Sequence, residues 1–285
     1  MTAQKLFDTG LKKIGMLRVN NETVSLINSA EYKAYIKIVY LPKGYVVKVD
    51  FTVYSSTCPS LFFISPNQVM QLETVGQEPG YFIFYNRDFY CIQIHDEEVA
   101  CDGLLFNNSR NMPMTELAEA EATFINYLLA QIEDEFEINE SSQEEMIRTY
   151  LKQLLIKSTR LWKKQHLDKT IVDQKSDLDL FRRFMLLIEK HYKQKHGVSE
   201  YADLLQMTPK TLTHKFKRLQ LPQPNEVIKD RLVLEAKRLL VHTSLSSKEI
   251  AYDLGYEDPA YFSRLFLSKT GESPTGFRAR FLKEQ

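Results

Sequence analysis

A pattern that occurs twice in one chain narrows the possible folds more sharply than composition does. Thr208-Pro209-Lys210-Thr211-Leu212-Thr213-His214-Lys215-Phe216 returns as Asp258-Pro259-Ala260-Tyr261-Phe262-Ser263-Arg264-Leu265-Phe266. Pro209/Pro259, Leu212/Phe262, Phe216/Phe266 and Pro224/Pro274 pair at an offset of 50 residues, whereas Ala202/Ala251 and Leu205/Leu254 pair at 49. The second copy therefore has one extra residue, around Glu257. A capping residue followed by proline opens a helix at its first position. Apolar residues four apart then form that helix's buried stripe. Short helices from Ser199 to Leu205 and from Ser247 to Leu254 precede the two turns, completing two helix-turn-helix units. That geometry places a second helix in a DNA major groove. Plain repeat packing produces the same duplication, so the pattern by itself leaves both readings open.

At 285 residues the length suits about two domains. The formal net charge of zero conceals an asymmetry: residues 1–175 carry 18 Lys+Arg against 23 Asp+Glu, and residues 176–285 carry 19 against 14. The basic C-terminal part fits phosphate contact. Cys58, Cys91 and Cys101 are odd in number and lack CxxC spacing, which argues against a disulfide framework and against structural zinc. No apolar run approaches the ~18 residues of a membrane span, and Met1 to Asp8 contain no signal-peptide apolar core. The expectation is a cytoplasmic protein without membrane contact.

From Val24 to about Phe106 the sequence reads as short strands: Val24–Ile27, Tyr35–Leu41, Val47–Val53 in alternation, Leu61–Ile64, Val69–Leu72, Tyr81–Tyr85 and Phe89–Ile94. Such a series predicts a small β-sandwich or barrel. Its aromatics (Phe62, Phe63, Tyr81, Phe82, Phe84, Tyr85, Phe89, Tyr90) suit either a packed core or a ligand cavity, with Lys33, Lys37 or Lys48 available to a carboxylate. Pro113 to Glu116 then reads as the start of a helix with Leu117, Ala120, Phe124, Leu128 and Ile132 on its apolar face. A second helix opens at Ser141, with Glu144 at capping-box spacing. Leu151, Leu154, Leu155 and Leu161 on this helix are candidates for a dimer contact, unless the hairpin is used entirely within the monomer. The expected division is a β body at 1–112, a helical hairpin at 113–164, a linker at 165–177 and the double-motif region at 178–285. The fold class is α+β, with an N-terminal barrel or sandwich plus hairpin and an all-α C-terminal domain. Within that domain Ser199 is expected to cap the first short helix, Ser246/Glu249 to form a capping box, and Asn225–Val241 to form a long bridging helix.

Several separated positions of the double motif agree in order and spacing with one family. Arg231-Leu232-x3-Ala236-x2-Leu239-Leu240, Ile250-Ala251-x2-Leu254-Gly255-Tyr256, Tyr261-Phe262-Ser263-Arg264-x-Phe266 and Gly271-x2-Pro274-x2-Phe277-Arg278 resemble the signature of AraC/XylS-type transcription regulators, over about the last 100 residues. The resemblance implies two helix-turn-helix units bridged by one long helix, with the helices from Pro209 and Pro259 entering neighbouring major-groove segments. Base-facing positions implied by it are Lys210, Thr213, His214 and Lys217 in the first unit and Ala260, Ser263 and Arg264 in the second. Arg218, with Lys215, Lys248 and Lys269, would bind backbone. Two places depart from the family pattern. Leu221-Pro222 replaces the glycine that would mirror Gly271, so the first loop should close differently. Leu267 stands where the family often has Lys or Arg, which removes a phosphate contact.

The N-terminal body resembles the cupin-like effector domain of the same family, on Pro42-Lys43-Gly44 and Leu61 to Met70. Metal-binding cupins need clustered histidines, whereas the strands here offer only His95, and Met70 stands where a cupin would often place His. No nucleophile elbow or clustered catalytic partners are visible. The expected function is therefore a sequence-specific DNA-binding transcription regulator, a homodimer on double-stranded DNA. A small-molecule effector or a partner at the N-terminal domain would govern it, RNA polymerase is a further candidate partner, and no catalytic residue, metal or cofactor is expected. The rival reading is a cupin-fold enzyme or a Cys-reactive DNA-repair protein fused to a DNA-binding domain.

Overall fold

A computed structural model of the chain describes residues 4–66, 68–90, 105–106, 114–138, 140–166, 175–219 and 221–283. These fall into two units, the first within residues 1–168 and the second formed chiefly by residues 169–285.

The first unit opens with β1 (Lys5–Asp8) and β2 (Lys13–Val19), then α1 (Val24–Ile27), β3 (Ile36–Leu41), β4 (Val46–Val49), β5 (Thr52–Ser55), β6 (Ser60–Ile64), β7 (Met70–Thr74), β8 (Gly80–Tyr85) and β9 (Met114–Glu116). They pair as a six-stranded sheet in the order β1-β2-β8-β3-β6-β9 and a three-stranded sheet β5-β4-β7. The pairing is antiparallel throughout. Alternation sends Leu17, Val19, Val39, Leu41, Phe62, Ile64, Phe82 and Phe84 of the large sheet toward Val47, Val49, Met70 and Leu72 of the small one, where they form one core. The opposite face of the large sheet is buried too, at Ile38, Tyr40, Leu61, Phe63, Ile83 and Tyr85. That is why β6 and β8 read as unbroken apolar runs. Two helices follow, α2 (Glu119–Glu135) and α3 (Gln143–His166). On that opposite face Asn126 of α2 donates to the Tyr40 hydroxyl (2.8 Å), and Arg18 of β2 donates to Glu133 (2.8 Å) while stacking 3.9 Å over the Tyr81 ring.

Several expectations need correction. Val24–Ile27 is helical because Asn20 and Thr23 organise a local turn: the Asn20 Oδ1 accepts from Glu22 and Thr23 amides, and the Thr23 hydroxyl donates to the Arg18 carbonyl. Val47–Val53 is a hairpin, reversing at Asp50, which adopts φ 52°. Met114–Glu116 is a strand paired with β6, and the helix starts only at Glu119, where the Glu121 carboxylate accepts from the Ala118 amide. That helix buries Ala122, Ile125, Leu128, Leu129 and Ile132, leaving Ala120 and Phe124 exposed. Glu144 engages Lys12 (2.7 Å) and Arg148, so its carboxylate is held by two cations. Phe89 lies in a turn; the rest of the expected Phe89–Ile94 strand beyond Tyr90, together with Cys91, His95 and Cys101, falls outside the described residues.

The second unit is helical: α4 (Lys175–His191), α5 (Val198–Leu204), α6 (Pro209–Arg218), α7 (Pro224–His242), α8 (Ser247–Asp253), α9 (Pro259–Thr270) and α10 (Pro274–Lys283). Helix α4 begins inside the segment expected as linker. The cap of α5 is Gly197 instead of Ser199, with the Glu200 carboxylate accepting from the Gly197 (2.9 Å) and His196 (3.0 Å) amides. Those two amides hold the Glu200 carboxyl below the ordinary glutamate pKa, the Gly197 bond being the larger cause. Ser246 and Glu249 form the expected capping box of α8.

Candidate nucleic-acid interface

The two turns are built alike, atom for atom, in spite of different residues. In the first, the Met207 amide donates back to the Ala202 carbonyl (3.0 Å); in the second, the Tyr256 amide donates to Ala251 (2.9 Å). Each turn needs one residue in the left-handed region, Gln206 (φ 57°) and Gly255 (φ 81°). After Gln206 one residue precedes the next cap, and after Gly255 two do, which accounts for the change of offset from 49 to 50. Gly255 has a second constraint: a Cβ there would lie 1.9 Å from the Lys193 carbonyl oxygen. The adjacent His196 ring bonds the Leu254 carbonyl (2.9 Å) and packs on Tyr256 at 4.5 Å between ring centroids. The second turn is thereby fastened to the segment after α4.

Helices α6 and α9 leave these turns with matching caps. The Thr208 hydroxyl accepts from the Thr211 amide (3.1 Å), and the Asp258 carboxylate accepts from the Ala260 amide (2.8 Å), each followed by proline. Leu212 and Phe216, like Phe262 and Phe266, are buried. Positions two residues away along a 3.6-residue helix lie about 200° round from them and must face outward. Accordingly Lys210, His214 and Arg218 are exposed on α6, as are Ala260 and Arg264 on α9; Thr213 and Lys217, one residue from Leu212 and Phe216, are exposed as well. Ser263 is half-buried, and its hydroxyl donates to the Pro259 carbonyl of its own helix (2.9 Å). Arg264, 68 % exposed, has the Asp258 carboxylate 3.6 Å away. Helix α9 runs 12 residues to Gly271 at φ 81°, whereas α6 stops after 10 and the Leu221 amide turns back to the Phe216 carbonyl (3.0 Å). The Leu-Pro loop thus closes differently from the glycine loop.

Helix α7 holds the two helix-turn-helix motifs in one frame. Arg231 is buried, donates to Glu189 (2.8 Å) of α4 and Glu235 (2.9 Å), and lies 4.0 Å over the Tyr192 ring. Burial alone would lower its pKa, but the two carboxylates outweigh that and raise it. Lys269 of α9 pairs with Glu226 and with Asp230 (2.9 Å) of α7. Its ammonium is therefore committed to the bridging helix, a correction to its expected place among the backbone-binding cations. Lys248 is exposed, 5.9 Å over the Tyr252 ring.

In the first unit, Leu151, Leu154, Leu155 and Leu161 are all buried within their own core. Leu151, Leu154 and Leu155 are at most 1 % exposed and Leu161 is 7 % exposed, which leaves little of their area for a second copy. The strand aromatics expected as core or cavity lining are likewise buried. Of the three lysines, Lys33 is exposed and Lys48 half-buried, while Lys37 is buried and donates to the Tyr32 (3.1 Å) and Gln68 (3.5 Å) carbonyls. Among the described residues no group of three or more His, Cys, Asp or Glu is arranged to hold a metal ion, and no helix is long and apolar enough to cross a membrane.

Residues 201–280 match the helix-turn-helix domain family. The chain is 28% identical over 102 residues to the uncharacterized HTH-type transcriptional regulator YdiP of Escherichia coli K12, covering 36% of this chain and 34% of that protein. It is 26% identical over 154 residues to the HTH-type transcriptional activator RhaS of Escherichia coli O1:K1 / APEC, covering 54% and 53%. The chain thus spans between about a third and a half of the length of these curated relatives. Among solved structures, ToxT from Vibrio cholerae with unsaturated fatty acid bound aligns over 95% of this chain and 96% of its own at 15% identity, with a TM-score of 0.41. The matched residues, the paired turns and the bridging helix coincide, and the C-terminal part of this chain is a helix-turn-helix domain.

Proposed function

We propose that this chain is a sequence-specific DNA-binding transcription regulator, acting in the cytoplasm on double-stranded DNA and through it on RNA polymerase. The observation that carries the reading is the duplication in three dimensions. Two capped helices, α6 and α9, bury the same two positions and turn the same outward positions to solvent, on a unit fastened by α7. A helix of this size fits the major groove, and outward Lys, His and Arg side chains suit phosphates and base edges. Homodimerisation belongs to the proposal, through side chains other than the four hairpin leucines. So does control by a small effector held in the β body.

The test is enrichment of random duplexes by the full chain, followed by footprinting. The expected product is a site with two protected major-groove segments on one face, bound far more tightly than scrambled DNA. Equal affinity for enriched and scrambled duplexes at physiological salt would refute the reading. An effector that binds only the folded form at one hundred times its Kd should add about 2.7 kcal/mol of stability.

A further inference from the structure

The internal repeat sets the outward positions of the two helices side by side. At the offset of 50, Lys210, His214 and Lys217 of α6 correspond to Ala260, Arg264 and Leu267 of α9. On a helix, Ala260, Arg264 and Leu267 share an arc of about 60°, and Phe262 and Phe266 lie well away from it. Leu267 is 49 % exposed, a large apolar side chain on a face otherwise turned to water. It has no chemistry for a phosphate. Ser263, half-buried beside that arc, has given its hydroxyl proton to the Pro259 carbonyl and can only accept. The outward face of α9 is therefore apolar, cationic, apolar, whereas that of α6 is cationic at both ends.

The major groove offers one apolar feature, the C5-methyl group of thymine, and Ala is among the side chains that contact it. The donor fork of Arg264 matches guanine O6 and N7. Along the helix axis Ala260 and Leu267 stand about 6 Å and about 4.5 Å from Arg264 at 1.5 Å per residue. Those distances correspond to one or two base steps of about 3.4 Å. Building on the DNA-binding reading above, we propose that Ala260 and Leu267 recognise thymine methyl groups one or two base pairs to either side of the guanine that Arg264 holds. The segment read by α9 is then a T-flanked guanine.

Deoxyuridine differs from thymidine only by that methyl group, which makes the test direct. Each thymine of the enriched site is replaced singly by deoxyuridine, and binding of the full chain and of Leu267→Ala is measured. One buried methyl is about 0.8 kcal/mol, so the wild-type chain should lose about fourfold at two positions in the α9 segment. Leu267→Ala should bind the thymine site about fourfold more weakly, lose its sensitivity to uracil at one of those positions and retain it at the other. Leu267→Lys should bind all sequences more tightly, with a steeper salt dependence and the same loss of methyl sensitivity. Wild-type binding indifferent to uracil throughout the α9 segment overturns the proposal. So does a Leu267→Ala variant that binds both site versions as the wild type does, which would assign Leu267 to a protein-facing surface. Failure to enrich any site overturns the DNA-binding reading and this inference together, an outcome distinct from a site that binds well without its methyl groups.

Discussion

Gly255→Ala should cripple the second turn, and the cost separates into two parts. The first is backbone strain: φ 81° puts an L-residue in the left-handed region, at about 1–2 kcal/mol. The second is steric. The new Cβ would stand 1.9 Å from the Lys193 carbonyl oxygen, and real Cβ atoms essentially never come within 3.0 Å. Backbone, not a flexible side chain, is on the other side, so the turn must shift by about an ångström, and overpacking of this kind costs about 1–3 kcal/mol. The sum is about 2–5 kcal/mol. That shift would also draw Leu254 from the His196 ring and retilt α9. Gly271→Ala is the control, since its φ is also 81° but nothing lies within 4 Å of the added Cβ; it should cost only the strain. Hydrogen exchange at the α8 and α9 amides reports this region apart from the N-terminal unit. Gly255→Ala should accelerate exchange there by about 5- to 150-fold more than Gly271→Ala, as about 1–3 kcal/mol implies, and weaken DNA binding. Equal effects of the two substitutions would refute the role of the Lys193 approach.

Other substitutions test other parts of the molecule. Arg264→Ala should cost about 1–3 kcal/mol of cognate DNA binding and flatten preference at one base pair; its exposed pair with Asp258 contributes at most about 1 kcal/mol, so stability should hardly change. Equal losses on every sequence, with the salt slope reduced by about one unit, would make it a phosphate contact instead. Leu151→Glu with Leu155→Glu places carboxylates in the N-terminal core and should unfold that unit, not yield a folded monomer; native melting together with altered sedimentation would contradict the burial described. Glu200 has its folded pKa below the ordinary 4.5, so its stabilising contribution is complete above that pH and disappears as pH falls through the depressed value. Glu200→Gln should therefore lower the stability of the C-terminal unit at pH 7 and reduce its loss of stability on acidification below pH 4.5, read by denaturant titrations across that range.

The C-terminal unit was legible because its information is local and stated twice. Proline after a cap, apolar pairs four apart and Ser246 with Glu249 act within one turn of the chain, and neighbours there decide the structure. The N-terminal errors arose where distant partners decide. Met114–Glu116 is a strand only because β6, about 50 residues earlier in the sequence, supplies its ladder. The buried face of α2 is set by the sheet beneath it, so Ala122, Ile125 and Leu129 are covered while Ala120 and Phe124 are not. Val24–Ile27 misled differently: an apolar run of four fits strand or helix, and the side chains of Asn20 and Thr23 chose helix. Lys269 and the hairpin leucines show the same limit at the candidate sites. Outward or inward placement could be read from spacing, but not which carboxylate or which wall each side chain meets.

Helix α7 has a consequence for the DNA as well as for the protein. Its 19 residues extend about 28 Å. It is braced to α4 through Arg231 and to α9 through Lys269, and α4 packs on α6 through Phe181 and Phe184 against Phe216, so the distance and phase between the two reading helices are fixed before any DNA is met. A protein of this construction acts as a rigid gauge. It should accept only one separation between its two recognised segments, because inserting five base pairs would carry the second segment to the far side of the duplex, about half of a 10.5-base-pair turn away. Drift in spacer length within a promoter would then silence a site whose recognised bases are all intact.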